Sequence, residues 1–492
     1  MNIMDEALKS STYAFDNLPT GLLIGGNWRK GRGGEDIEVV NPSTEAAITS
    51  VANASVEDGI AAVDAAAAAA ENWAKTAPRQ RAEVLRRAFE LMTERSDFLA
   101  ALIATENGKA LSDAKGEVAY AAEFFRWYAE EAVRLAGELG PSPSGAYKIM
   151  VQHEPIGIAL LVMPWNFPAA MATRKIAPAL AAGCTCILKP ATETPLTAYA
   201  VAEILGEAGV PAGVVNVVTT RNTGKVVRAI LRDPRVRKLS FTGSTEVGRV
   251  LLREAAHQVI SCSMELGGNA PFLVFDDADL NAAVEGAMLA KMRNGGEACT
   301  AANRFYVHQA HYEQFVEAFA ARMSAVKVDD GSLPSTQCGP LVNQDAVERI
   351  DDLVKDAVAC GAKVVTGGHR LNRSGYFYAP TVLRDVPGHA QMMNEEIFGP
   401  VAPIASFVDE GAAIAAANAT EFGLISYLYT SNLQRGLRLS SLLQTGMVGL
   451  NRGLVSDPAA PFGGMKASGL GREGGRHGIM EYIETKYTAV AW

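Results

Sequence analysis

The spacing of apolar and polar residues along this chain changes several times, and each change predicts an element. Residues 20–50 read as short strands with turns at Gly25-Gly26 and Asn41-Pro42-Ser43. From residue 55 to about 136 the pattern is helical. Ser55 followed by Asp58 resembles a capping box, although Asp is a poorer partner than Glu or Gln. Residues 65–70 are all alanine, and helix propensity alone explains that run. Residues 141–145 break the helical block. A strand is then expected over 147–163 and a helix over 169–182. Strands at 185–188, 214–218, 239–242 and 259–264 follow, with helices at 197–208, at 223–231 and from Glu246. After Gly267 the alternation restarts with strands at 271–274 and 304–307 and helices at 280–292 and 312–326. Residues 331–337 read as a loop, and 361–368 and 374–379 as turn-rich. The tail, 481–492, is β-prone and reads as an exposed strand that needs a partner, expected in another subunit.

Strands alternating with helices imply parallel sheets covered on both faces. Such sheets bind nucleotides at the carboxyl ends of their strands. With 492 residues the chain is too long for one core, so at least two domains are expected. A formal net charge of −9 argues against a nucleic-acid surface. The first twenty residues mix Asp5, Glu6, Lys9 and Asp16 among apolar side chains, unlike a signal peptide. The longest apolar run, 156–163, is far short of a bilayer span. The expectation is a cytoplasmic protein with no membrane partner. Six cysteines are sparse. Cys184 and Cys186 find no second pair or histidine cluster at zinc spacing, so no metal is expected.

Four stretches carry candidate chemistry. Cys299 lies in Asn294-Gly295-Gly296-Glu297-Ala298-Cys299-Thr300, just past a predicted helix, where glycines permit close backbone approach. The others are Pro164-Trp165-Asn166-Phe167-Pro168, Glu265-Leu266-Gly267-Gly268 and Glu395-Glu396-Ile397-Phe398-Gly399-Pro400. Gly469-Leu470-Gly471-Arg472-Glu473-Gly474 satisfies a GxGxxG pattern, but no apolar strand precedes it, so a phosphate loop is rejected there. The better phosphate site is Phe241-Thr242-Gly243-Ser244-Thr245-Glu246-Val247-Gly248, which follows a strand and opens a helix.

Together and in this order these motifs resemble the NAD(P)-dependent aldehyde dehydrogenase superfamily, from Asn41-Pro42 to Glu481-Tyr482. The resemblance implies an α/β fold with two parallel-sheet domains and a small β oligomerisation arm. Its implied divisions are 1–138 with 158–265 for the cofactor, 266–462 for catalysis, and 139–157 with 478–492 for the arm. A homodimer or homotetramer is implied. By resemblance Cys299 is the nucleophile, giving a thiohemiacetal and then a thioester. Asn166 joins the Cys299 N–H in holding the oxyanion, and Glu265 is the base for hydrolysis. Glu473 and Lys175 match a proton relay. Trp165, Gly243, Ser244 and Gly248 belong to the implied cofactor motifs, Lys189 reaches the adenosine ribose, and Glu396 and Phe398 hold the nicotinamide ribose and ring.

Relatives that prefer NAD often carry Glu three residues after the ribose lysine. Here Thr192 stands there, with Glu193 beside it, so NADP is favoured with some NAD use. Arg174, Arg293 and Ser456 match the groups with which succinate-semialdehyde dehydrogenases grip a distal carboxylate, a task suited to the guanidinium fork. The implied substrate is a small aldehyde, foremost succinate semialdehyde. Glutarate semialdehyde and broad aliphatic or aromatic aldehydes are the alternatives. A cysteine hydrolase would leave the Glu396–Phe398 motif unexplained, and an inactive relative would not need Cys299, Glu265 and Asn166 together. Three departures stand out. Glu297 replaces the usual glutamine, Ala301 removes a second cysteine and with it a local disulfide switch, and Arg452 beside Asn451 is unusual.

Overall fold

The computed structural model describes residues 15–491. The charged N-terminal stretch up to residue 14, on which much of the leader reading rests, and Trp492 lie outside the described residues. Among the described residues the largest sheet has eight strands. Their order is Gly469–Leu470, Ser261–Glu265, Val236–Thr242, Ile158–Val162, Thr185–Lys189, Val215–Val217, Leu22–Ile24 and Asn27–Arg29. The run from Ser261–Glu265 to Val215–Val217 is parallel, and the outer strands are antiparallel. Ile158–Val162 and Thr185–Lys189 are buried at every position, because helices cover both faces.

A second, seven-stranded sheet runs Lys363–Thr366, Thr381–Arg384, Val401–Phe407, Ala302–His308, Ala270–Val274, Ile425–Tyr429 and Met447–Leu450. Only Lys363–Thr366 is antiparallel in it. That edge strand occupies part of the stretch read as turn-rich, and Gly367 and Gly368, at φ 73° and 78°, end it.

The capping box forms. Ser55 Oγ accepts from the Asp58 N–H at 3.2 Å and the Asp58 carboxylate accepts from the Ser55 N–H at 3.0 Å, opening the helix Val56–Lys75. Asp58 also takes Arg29 at 3.0 Å, tying this helix to the first sheet.

Two expectations are corrected. The single strand over 147–163 is two strands, broken at Gly157 (φ 123°). Lys148–Pro155 leaves for a third sheet while Ile158–Val162 enters the first. The tail strand Ile483–Val490 finds its partner in its own chain, pairing antiparallel with Lys148–Pro155, whose other side carries Glu138–Pro141. The Gly469–Gly474 segment is no phosphate loop: Gly469 and Leu470 pair with Glu265 and Met264 at the sheet edge.

Candidate active site

Several candidate groups sit at the carboxyl ends of neighbouring parallel strands. Asn166 follows Ile158–Val162, Lys189 ends Thr185–Lys189, Gly243 and Ser244 follow Val236–Thr242, and Glu265 ends Ser261–Glu265. Cys299 comes from the other sheet's side, in the turn after the helix Leu280–Met292 and a one-turn 3-10 helix, Arg293–Gly296. Asn294, Gly295 and Gly296 are left-handed there, at φ 54°, 60° and 82°. A Cβ on Gly296 would lie 2.2 Å from the Gly399 carbonyl, and one on Gly268 would lie 2.5 Å from the Cys299 carbonyl, so both glycines are sterically required.

The turn is wired to Asn166. Asn166 Nδ2 and Asn294 Nδ2 both donate to the Glu297 carbonyl at 3.0 Å, and Asn294 Nδ2 also donates to the Asn166 carbonyl. One N–H of the Asn166 amide is left for a ligand, and its Oδ1 has no partner. A fully buried ion pair that the sequence did not reveal, Lys109 with Glu117, fixes this motif. Lys109 Nζ donates to the Asn166 carbonyl at 2.8 Å and lies 4.1 Å above the Phe167 ring. Glu117 accepts from the Ala169 and Ala170 N–H groups, satisfying the free donors of the helix Pro168–Ala182.

That helix is buried along its whole length and carries Arg174 and Lys175. Lys175 Nζ donates to Glu473 at 2.6 Å and to Ser240 at 2.9 Å, and Arg174 donates to the other Glu473 oxygen at 3.4 Å. Burial raises the Glu473 carboxyl, but Lys175 and Arg174 outweigh it and the net shift is downward. Glu265 is the opposite case: it is buried and neither carboxylate oxygen has a partner. Burial first, then the Glu473 charge, hold it well above the ordinary carboxylate range. Burial also pushes the Cys299 thiol up to about 12, with Arg174 the foremost opposing influence. Cys299 is therefore held as a thiol rather than a thiolate.

Arg174 also donates to the Tyr120 hydroxyl at 2.9 Å and stacks 4.1 Å over Phe462. Arg293 donates to Ser456 Oγ at 3.2 Å, lies 4.9 Å over Phe167, and has no carboxylate within ion-pairing distance among the described residues. Arg174, Arg293 and Ser456 thus reach one region, with Tyr120 between the two guanidiniums. Arg452 is exposed and donates to the Leu454 carbonyl at 2.6 Å.

A cleft of about 290 Å³ opens above Cys299, lined by Trp165, Asn166, Thr242, Gly243, Ser244, Gly267, Glu396 and Phe398. A dinucleotide fits this donor set. Ser244 caps the helix Thr245–Ala256, whose first N–H groups suit a pyrophosphate, and the buried Thr242 hydroxyl has no partner among the described residues. Phe398, held at φ 57°, meets Trp165 edge-on with ring centres 5.4 Å apart. Glu396 accepts from the Gly268 N–H at 3.0 Å. Gly248 faces Leu266: a Cβ there would lie 2.5 Å from that side chain, so its glycine serves helix packing. Lys189 is buried at its strand end. Thr192 lines a separate depression of about 260 Å³ with Glu193 and Arg221, and its hydroxyl donates to Glu193 at 3.2 Å.

Glu297 gives a pH test. Its buried carboxyl accepts from the Val342 N–H at 3.1 Å, and burial pushes it up to about 8 from 4.5. The unfolded chain ionises Glu297 near 4.5 while the folded chain keeps the proton to about 8, so this group lowers stability progressively across that window. Glu297→Gln is expected to melt with the parent near pH 4.5 and a few degrees higher at pH 8. A melting series over pH checks this. A lower melting temperature at every pH would mean that the bond to Val342 outweighs the buried charge.

A nucleophilic thiol beneath a dinucleotide cleft, with an unpaired buried carboxyl and a side-chain amide beside it, defines a cysteine-dependent oxidoreductase of the α/β class. The chain belongs to the aldehyde dehydrogenase family, which it matches over residues 28–488. It is 55% identical over 90% of its length to a succinate-semialdehyde dehydrogenase of Paenarthrobacter nicotinovorans, covering 99% of that protein. It is 48% identical to a glutarate-semialdehyde dehydrogenase of Pseudomonas putida, over 95% of this chain and 97% of that one. The crystal structure of an NADP-dependent enzyme of Escherichia coli superposes with a TM-score of 0.95 at 47% identity, over 96% of this chain and 98% of the other. Among the described residues no helix is long and apolar enough to cross a membrane.

Proposed function

We propose that this chain oxidises succinate semialdehyde to succinate, using NADP in preference to NAD, through a covalent intermediate on Cys299. The observation that carries the substrate is Arg293: a cation held by Ser456 and packed on Phe167, with no carboxylate within ion-pairing distance among the described residues and outside the lining of the cofactor cleft. The names of the similar proteins point the same way, to semialdehydes that end in a carboxylate.

In this reading the Cys299 sulfur attacks the aldehyde carbon, and its proton is lost to a neighbouring base. The Asn166 amide and the Cys299 N–H receive the oxyanion; one such donor is worth roughly 10²–10³ in rate. A bound nicotinamide supplies the hydride acceptor. The acyl group left on sulfur is a thioester. Glu265 takes a proton from water as it attacks that carbonyl, and the thiol leaves with the acid released. Lys175 and Glu473 carry the proton onward. Thr192, in place of a carboxylate, leaves room for a 2′-phosphate, although its bond to Glu193 keeps one negative charge close. The three-stranded sheet leaves the outer edge of Ile483–Val490 unpaired among the described residues, and we propose that it contributes to a homodimer or homotetramer of a cytoplasmic enzyme. Sedimentation at a single-chain mass of 52.1 kDa would remove that part.

The test is an initial-rate panel with NADP and NAD on succinate semialdehyde, glutarate semialdehyde, benzaldehyde and butanal. Arg293→Ala is expected to raise KM for succinate semialdehyde roughly 10–100-fold, from about 1.5–3 kcal/mol of charge-assisted bonding. Butanal, of equal carbon count, keeps its KM. Equal losses on both defeat the semialdehyde assignment. Glutarate semialdehyde is the second reading because one methylene is worth only about 1–3 kcal/mol in such a pocket. Arg174 is a poorer probe: its tie to Glu473 makes any substitution disturb the proton relay as well.

A further inference from the structure

Tyr120 lies midway along the helix Leu111–Ala132, far in sequence from every motif above. Its hydroxyl accepts from Arg174 at 2.9 Å. Its ring faces both site arginines, with the Arg174 and Arg293 guanidinium carbons 5.9 and 5.8 Å from the ring centre. Phe124 meets the same ring edge-on at 5.0 Å and holds its plane. The phenol's own proton has no acceptor among the described residues.

Charge in this region is unbalanced. Arg174, Lys175 and Arg293 bring three cations; Glu473 pairs with Arg174 and Lys175, while half-buried Asp113 and buried Glu265 act on Arg293 and Lys175, respectively, only through space. Glu265 has no hydrogen-bond partner and makes no ion pair. Two guanidiniums lie 5.9 and 5.8 Å from the centre of one phenol ring, whose negative face lowers their mutual repulsion. A single anion arriving there would be bonded by Arg293, Ser456 and the free phenolic proton together.

We infer that Tyr120 is a specificity and positioning residue for the distal carboxylate of the substrate, fixing the Arg174 guanidinium through its oxygen and donating its own proton to the anion. This rests on the semialdehyde reading above. The arrangement explains why a tyrosine stands there rather than phenylalanine: the ring alone would suffice for cation–π contact and for packing on Phe124. The oxygen is needed because Arg174, buried and with its Nε already unpartnered, would otherwise lose its 2.9 Å partner as well.

The experiment compares Tyr120→Phe, Tyr120→Leu and Arg293→Ala on succinate semialdehyde and on butanal, with melting temperatures for each. Tyr120→Phe is expected to raise KM for succinate semialdehyde roughly 3–10-fold, with kcat within about twofold, as for the loss of one hydrogen bond to an anion. Butanal kinetics should stay at parental values, while the melting temperature falls a few degrees because buried Arg174 loses that partner. Tyr120→Leu should raise the same KM further, since the ring is lost too. A Phe variant that harms both aldehydes equally overturns the proposal in favour of plain packing. A Phe variant with unchanged KM while Arg293→Ala raises it overturns the Tyr120 role and leaves the substrate reading standing. If Arg293→Ala itself fails to separate the two aldehydes, both fall.

Discussion

Cys299→Ala is expected to reduce aldehyde oxidation to less than a few per cent of the parent rate while cofactor binding, followed by fluorescence titration, persists. Cys299 carries the one thiol lining the cleft among the described residues: the other cysteine close by, Cys338, is buried beneath Gly295, and burial pushes its own thiol up to about 12. Ser240, whose hydroxyl bonds Lys175 and Glu473, is buried and does not line the cleft, so it cannot replace the thiol. Alanine removes the covalent route entirely, so the loss should exceed what any positioning residue produces. The proposed dinucleotide contacts are those of Gly243, Ser244, Glu396 and Phe398, none of which depends on the sulfur. Activity above a few per cent would show that hydride can leave a non-covalent aldehyde hydrate, and Cys299 would lose its role.

The sequence made the parallel sheets legible because strands such as Ile158–Val162 are buried on both faces and read as short apolar runs between helices. It was least informative where one segment serves two sheets. Nothing in the hydrophobic pattern of 147–163 marks the break; the left-handed Gly157 does, and a lone glycine in a strand has several readings. Across 381–462 no element was expected, and Val401–Phe407 shows why. It is a central strand that contains Pro403, a residue that argues against such a position, here paired opposite Leu383. The types of site residue were legible through the family motifs. Their wiring was not: Arg174 and Glu473 are 299 positions apart, and only the fold shows that an arginine expected to grip substrate is also half of a buried ion pair. Tyr120 and the Lys109–Glu117 pair sit in no motif, and a tyrosine or a charged pair on a long helix is ordinary surface or core until its neighbours are known.

Glu265→Gln is expected to separate the two halves of the reaction. Because both Glu265 oxygens lack partners in the folded chain, glutamine breaks no hydrogen bond and keeps the shape, so a change in kinetics reports the chemistry of the carboxyl itself. An amide cannot accept a proton from water at neutral pH. Thioester hydrolysis should slow by about 10²–10⁴, the usual worth of a general base, while attack by Cys299 and hydride loss proceed. Rapid mixing of the variant with aldehyde and NADP should give a burst near one reduced cofactor per active site, then a slow steady state. The raised affinity of Glu265 for its proton sets the direction with pH. In the parent, steady-state turnover should climb as pH rises and the carboxyl ionises, and the variant should lose that climb. A burst slowed as much as the steady state would place Glu265 earlier, as the base that takes the proton from Cys299, and would leave the water-activating role to another group.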